Sequence, residues 1–362
     1  MKYIDEYRDP ALAKALLGRI MQAARALDRN ISIMEVCGSH TQAIGRYGIR
    51  KMLPGNIRLI SGPGCPVCVT SIHDVDVGIH LAGRMGVIFA TFGDMLRVPG
   101  TAGNSLQKLR AQGADVRVVA SPLDSITLAQ EYPDKHVIFM GIGFETTSPT
   151  IGAMVMRARK LGITNVSVFS VHKVIPPAMQ ALINDPSIKI DGFLCPGHVS
   201  IIIGAAAYTF IAQAGKPAVI TGFEPIDVLD GIRMILEQLV EQRPAVAIQY
   251  GRGVSPEGNA KARAVLEEVF TAMDAEWRGL GTIPGSGLAF KEVYHDFDTL
   301  KRFEVPEIRS AEVKGCACGD VLRGAIVPDE CPLFGQVCTP VNPIGPCMVS
   351  GEGSCAAYYK YR

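Results

Sequence analysis

From residue 31 to about residue 250, short apolar, β-branched runs alternate with longer segments whose apolar residues recur at helical spacing. The runs are ISIMEV (31–36), IRLIS (57–61), GVIFATF (86–92), DVRVVA (115–120), HVIFMGI (136–142), NVSVFSV (165–171), IDGFLC (190–195), PAVIT (217–221) and AVAIQY (245–250). Near-continuous apolar strands separated by helices predict parallel sheets covered on both faces. Nine strands are many for one compact sheet, and the polar stretch 121–135, SPLDSITLAQEYPDK, holds two prolines. The expectation is therefore an α/β protein with two parallel-sheet α/β domains, 31–125 and 126–250, facing a cleft. Residues 1–30 read as an N-terminal helical segment packing on the C-terminal domain. Residues 255–277 also read as helix. From about 279, Gly, Pro and Cys replace the apolar runs, so 251–362 reads as a helical linker and a small helical or irregular domain that needs a metal to hold it.

The unusual residues fall where strands end. Cys37-Gly-Ser-His40-Thr41 follows the first run and Gly62-Pro-Gly-Cys65-Pro-Val-Cys68 the second. Phe92-Gly-Asp94-Met-Leu-Arg97 follows the third, Gly143-Phe-Glu145-Thr146-Thr147 the fifth, Val171-His172-Lys173 the sixth, Cys195-Pro-Gly-His198 the seventh and Thr221-Gly-Phe-Glu224 the eighth. Ligands of open parallel sheets bind beyond the carboxyl ends of the strands, so these motifs point to a common site. Cys37 before a helix start predicts a thiol biased toward thiolate. Cys65-x-x-Cys68 suits a dithiol–disulfide couple in the interdomain cleft, or half of a metal site. Glu145, Thr146 and Thr147 serve either the site or the cap of the next helix. His198 is a proton donor or a turn residue. Cys195 reads as core, and His172, His73 and His80 as packing residues.

Composition narrows the class. Lys+Arg 36 against Asp+Glu 35 gives a net charge of +1, which argues against a strongly basic nucleic-acid binder. The N-terminus lacks an apolar leader, and the charge-free stretch 192–215 is split by Pro196-Gly197, so neither secretion nor a membrane span is expected. The expected compartment is the reducing cytoplasm. There, ten cysteines favour metal or redox chemistry over structural disulfides. Six of them lie in the last 47 residues, at 316, 318, 331, 338, 347 and 355. They can give four ligands to a cubane and leave two over. Zinc is the alternative, but the paired C-x2-C knuckles usual for it are missing.

Five motifs together, EVCGSHT (35–41), GPGCPVC (62–68), GFETT (143–147), PGHVS (196–200) and EGSCAAYYKYR (352–362), resemble the signature set of the HypD family of [NiFe]-hydrogenase maturation factors. The resemblance implies a scaffold with redox capacity on which an iron carrying two cyanides and one carbon monoxide is assembled. It implies a small HypC-type chaperone and a HypE-type cyanide donor as partners. It further implies a [4Fe–4S] cluster on Cys316, Cys331, Cys338 and Cys355, with Cys318 and Cys347 as a redox pair beside it. Cys37 is implied as the ligand of the iron being assembled, with Cys65 and Cys68 facing it. His40, Thr41, Glu145, Thr146, Thr147 and His198 are expected around that iron, the first two orienting its ligands or donating to cyanide nitrogen. The layout is also similar to ferredoxin–thioredoxin reductase, which keeps a stand-alone Fe–S-dependent thiol–disulfide oxidoreductase as the alternative reading.

Overall fold

The computed structural model describes residues 5–361. All nine expected strands form: β1 (Ile31–Glu35), β2 (Ile57–Ser61), β3 (Val87–Thr91), β4 (Val116–Val118), β5 (His136–Gly141), β6 (Val166–Ser170), β7 (Gly192–Pro196), β8 (Ala218–Thr221) and β9 (Val246–Ile248). Every pairing among them is parallel. β3 and β7 are buried along their whole length, as strands covered by helices on both faces must be.

The strands form a five-stranded sheet, β2-β1-β7-β8-β9, and a four-stranded sheet, β4-β3-β5-β6. This differs from the expected division at 125/126. The chain leaves the first sheet after β2, builds the whole second sheet, and returns at β7, which pairs with β1 through Met34 and Phe193. The stretch 121–135 is the connection from β4 to β5 and contains the helix Asp124–Glu131. The Asp124 carboxylate accepts the N–H groups of Ala120 and Ser121, so the polar residues there make a tight turn rather than a linker.

The N-terminal segment is also placed differently from expectation. Helix Pro10–Leu27 is capped by Asp9, whose side chain accepts the N–H groups of Ala11 and Leu12. It buries Leu16, Ile20, Ala23 and Ala24 against helix Pro225–Glu241 on the five-stranded sheet, in one core with Ile31, Ile33, Val228 and Ile232. Its apolar stripe thus meets another helix, not the cysteine-rich tail. Residues 1–4 of the segment lie outside the described residues.

The helix expected over 255–277 is shorter. It starts at Asn259, whose side chain accepts the Ala262 N–H, and runs over Ala260–Val269. Phe270–Trp277 is β10, paired antiparallel with β11 (Gly281–Phe290). A bulge between Met273 and Ala275 lets Phe270 and Ala275 both face inward, which breaks the alternation that would have marked a strand. Gly279 and Gly281, at φ +79° and +74°, supply the reversal. Beyond this hairpin the chain is irregular, with the short helices Cys318–Leu322 and Ser354–Lys360. The charge-free stretch 192–215 holds β7 and the short helices Gly197–Ile203 and Thr209–Gln213. Among the described residues no helix is long and apolar enough to cross a membrane.

His172, just past β6, has the packing role expected of it and a measurable consequence. Ser170 Oγ donates to the Leu288 carbonyl, so it accepts from His172 Nδ1–H at 2.9 Å. Nε2 then carries no proton and has no partner. Burial, helped by the charge of Lys173, holds the imidazole pKa down to about 3. The folded state refuses a proton that the unfolded chain accepts near pH 6.5, so stability falls as pH drops below that value. Between pH 7 and pH 5 this one group should cost about 2 kcal/mol. Denaturant unfolding at both pH values should show a difference smaller by that amount in His172→Gln; an unchanged difference would rule the account out.

Candidate metal and thiol site

β1 ends at Glu35, and Cys37 is the N-cap residue of helix Gly38–Arg46. The loop after β2 lies directly against it. Gly38 N–H donates to the Gly64 carbonyl at 3.0 Å, and a Cβ on Gly64 would stand 2.2 Å from the Cys37 nitrogen. The expected helix-end effect on the thiol is present but outweighed. The N–H groups of Ser39 and His40 favour the thiolate, yet burial first, then the charge of Glu352 and more weakly that of Glu35, push the pKa up to about 12. At neutral pH Cys37 is therefore a protonated thiol.

Glu35 was missed as a site residue. Its carboxylate is fully buried, accepts from Thr41 Oγ1 at 2.6 Å and from the Cys37 N–H at 3.3 Å, and is raised to about 7 chiefly by burial. A carboxylate ending an otherwise apolar strand next to Cys37 was the available signal. Glu352, also missed, accepts from Ser39 Oγ at 2.8 Å.

His40 and Thr41 do not have the expected donor role. The Thr41 hydroxyl proton is committed to Glu35. His40 Nε2 lies 3.1 and 3.0 Å from the carbonyls of Thr221 and Gly222, so it carries the proton. Nδ1 has no partner, and burial lowers the imidazole to about 4. A neutral ring in that tautomer accepts at Nδ1 and has no second proton to give.

Phe223, a residue not singled out before, stacks on both His40 and His198, at 4.8 and 3.9 Å between ring centroids. His198 follows β7, beside β1, so it belongs to the same sheet as Cys37 rather than to an opposing domain. Glu145 does come from the four-stranded sheet. It caps helix Ile175–Asn184 by accepting the Ile175 N–H at 2.9 Å, instead of capping the helix that follows it. Its other oxygen is buried without a partner, and burial raises its pKa to about 7. Thr147 starts helix Ser148–Lys160 without a side-chain cap, and Thr146 is exposed.

The thiols converge. Cys65 is the N-cap of helix Pro66–Val69 and its sulfur accepts the Cys68 N–H at 3.4 Å. Both cysteines are buried, so the surrounding Gly/Pro turns do not expose them. Cys68 Sγ lies 3.9 Å from the carbonyl of Pro346, the residue before Cys347, and the Cys347 side chain is among the groups that act on the Cys68 thiol. Cys347 Sγ is in turn 2.7 Å from Cys318 Sγ. Cys316, Cys331, Cys338 and Cys355 line one small void together with that pair, Leu333, Phe334 and Met348. All ten cysteines are free. Among the described residues no three His, Cys, Asp or Glu side chains converge on a single metal ion. Six thiols around one apolar void offer enough ligands for a four-iron cluster, which takes one thiolate on each iron. Cys195, in contrast, is enclosed within β7.

A family described as "HypD: Hydrogenase formation hypA family" matches residues 11–362. The chain belongs to the HypD family. It is 48% identical over 368 residues to the hydrogenase maturation factor HypD of Azotobacter vinelandii, covering 100% of this chain and 97% of that protein. It is 46% identical over 371 residues to that of Rhodobacter capsulatus, covering 100% and 98%. For that of Cupriavidus necator the figures are 43% over 369 residues, 100% and 97%. The HypD match spans both sheets and the cysteine-rich tail, and it does not favour a stand-alone thiol–disulfide oxidoreductase.

Proposed function

We propose that this chain is a hydrogenase maturation factor: a scaffold with redox capacity that holds an iron while two cyanides and one carbon monoxide are attached to it. It works with a small HypC-type partner and takes cyanide from a HypE-type partner, in the cytoplasm. Cys37 is the protein ligand of that iron; a soft, low-spin iron suits a thiolate. Glu35 holds the Cys37 backbone and Thr41, while His40 and Phe223 shape the site. Cys316, Cys331, Cys338 and Cys355 hold a [4Fe–4S] cluster, which when bound supplies electrons one at a time.

The observation that carries this reading is the buried line of sulfurs. It runs from Cys318 to Cys347, Cys68 and Cys65, and Gly64, the residue before Cys65, touches the Cys37 backbone. Such a line gives reducing equivalents a route from the tail to the iron.

Protein purified anaerobically with its HypC-type partner should contain about four irons and four sulfides for the cluster. It should also show infrared bands in the cyanide and carbonyl region. Alanine at any of the four tail ligands should lose the cluster. Stoichiometric zinc without iron would overturn the cluster, and a full cluster without those bands would overturn the scaffold.

A further inference from the structure

The motif Phe92-Gly-Asp94-Met-Leu-Arg97 has no part in the site above, yet it borders a surface groove of about 710 Å³. One wall of the groove is the turn ending at Arg97 and the helix Leu106–Ala111. The other is formed by residues 311–314 and 341–344 of the C-terminal region. Arg97, Lys108 and Lys314 line it, and its one lining acid, Glu312, is already paired with Arg278 at 3.4 Å. Arg97 donates to the carbonyls of Pro340 and Val349, which fixes the two walls together and leaves its charge in place. Val341, 96% exposed, stands at the lip.

A single layer of backbone separates this groove from the tail sulfurs. Ile344 lines the groove, and its N–H donates to Cys338 Sγ at 3.4 Å. The next residue, Gly345, runs so close that a Cβ on it would be 2.7 Å from Cys316 Sγ. The groove is open and rimmed by long, solvated cations around an exposed apolar side chain. Those are the properties of a surface read by a protein through charge-steered, transient contact rather than of a pocket for a small anion.

We propose that this groove docks an acidic one-electron carrier protein with an iron–sulfur centre. The proposal rests on the cluster reading above. The reduced carrier would be oxidised by one electron and the cluster that Cys316, Cys331, Cys338 and Cys355 would hold would be reduced by one, with no bond made or broken and no proton moved.

The test uses a reduced, acidic two-iron ferredoxin as probe, with Lys108→Glu, Lys314→Glu and the double variant. Both lysines are exposed, and Lys108 meets only the Gly103 carbonyl, so the tail stays anchored. Calorimetric binding and the stopped-flow reduction rate should each fall by about tenfold or more at low salt in the double variant. The difference should shrink at high salt as screening removes the attraction. Direct reduction by dithionite should be unchanged. Binding that ignores the double reversal, or equal binding of a basic carrier, would overturn the docking surface. A preparation without iron would overturn the cluster reading, while the binding measurement would still judge the groove on its own.

Discussion

Replacing Cys37 by alanine should give a folded protein with its tail intact, no cyanide or carbonyl infrared bands, and no hydrogenase maturation. The stability cost is small because one sulfur atom is removed, comparable to losing a buried methylene, about 1 kcal/mol. The protonated Cys37 side chain makes no capping hydrogen bond to the helix that follows it. Its backbone N–H contact to Glu35 remains in the variant. The thiol is also costly to ionise without a cation, since burial and Glu352 hold its pKa up to about 12. The measurement is infrared spectroscopy of wild type and variant, each purified with the same partners, with unfolding curves in parallel. Wild-type band intensity in the variant would remove the ligand role and return Cys37 to the hydrophobic core.

Strand positions were legible in the sequence because parallel strands buried on both faces leave unbroken apolar runs, and each of the nine forms within two residues of its expected start. Sheet membership was not legible. Nothing in ISIMEV or IDGFLC states that β7 returns to pair with β1 after four strands of another sheet, since both are short, mainly apolar runs of the same kind. The hairpin of β10 and β11 was hidden by its bulge, which replaces the two-residue period. The candidate site was legible where chemistry is rare in composition: the cysteines, and glycines crowded beside them. Glu35, Glu352 and Phe223 were not, because a lone acid or aromatic becomes informative only when its neighbours in space are known. The partners that hold the His40 and Thr41 protons, Thr221, Gly222 and Glu35, were not legible either, because those bonds are made by distant parts of the chain or by a neighbour not singled out.

Gly64→Ala should disable the site through the backbone, without touching a ligand. A Cβ there would lie 2.2 Å from the Cys37 nitrogen and 2.5 Å from its Cα. These are main-chain atoms, so no rotamer change relieves the overlap; the loops after β1 and β2 must part. Those loops are tied by Gly38 N–H to Gly64 and by Gly62 N–H to Glu35, at 3.0 and 2.7 Å, and both bonds lengthen if they separate. Overpacking of this kind costs about 1–3 kcal/mol and occasionally more, so Tm should fall by roughly 1–4 °C in a chain of this length. The same movement carries Cys65 away from Cys37 and should weaken the cyanide and carbonyl bands even though every thiol is present. Gly55→Ala is the control, since nothing lies within 4 Å of a Cβ at that exposed position. It should change stability by no more than about 0.5 kcal/mol. Equal Tm values for the two variants, with full bands in both, would show that the contact between the two strand-end loops does not set the geometry of the site.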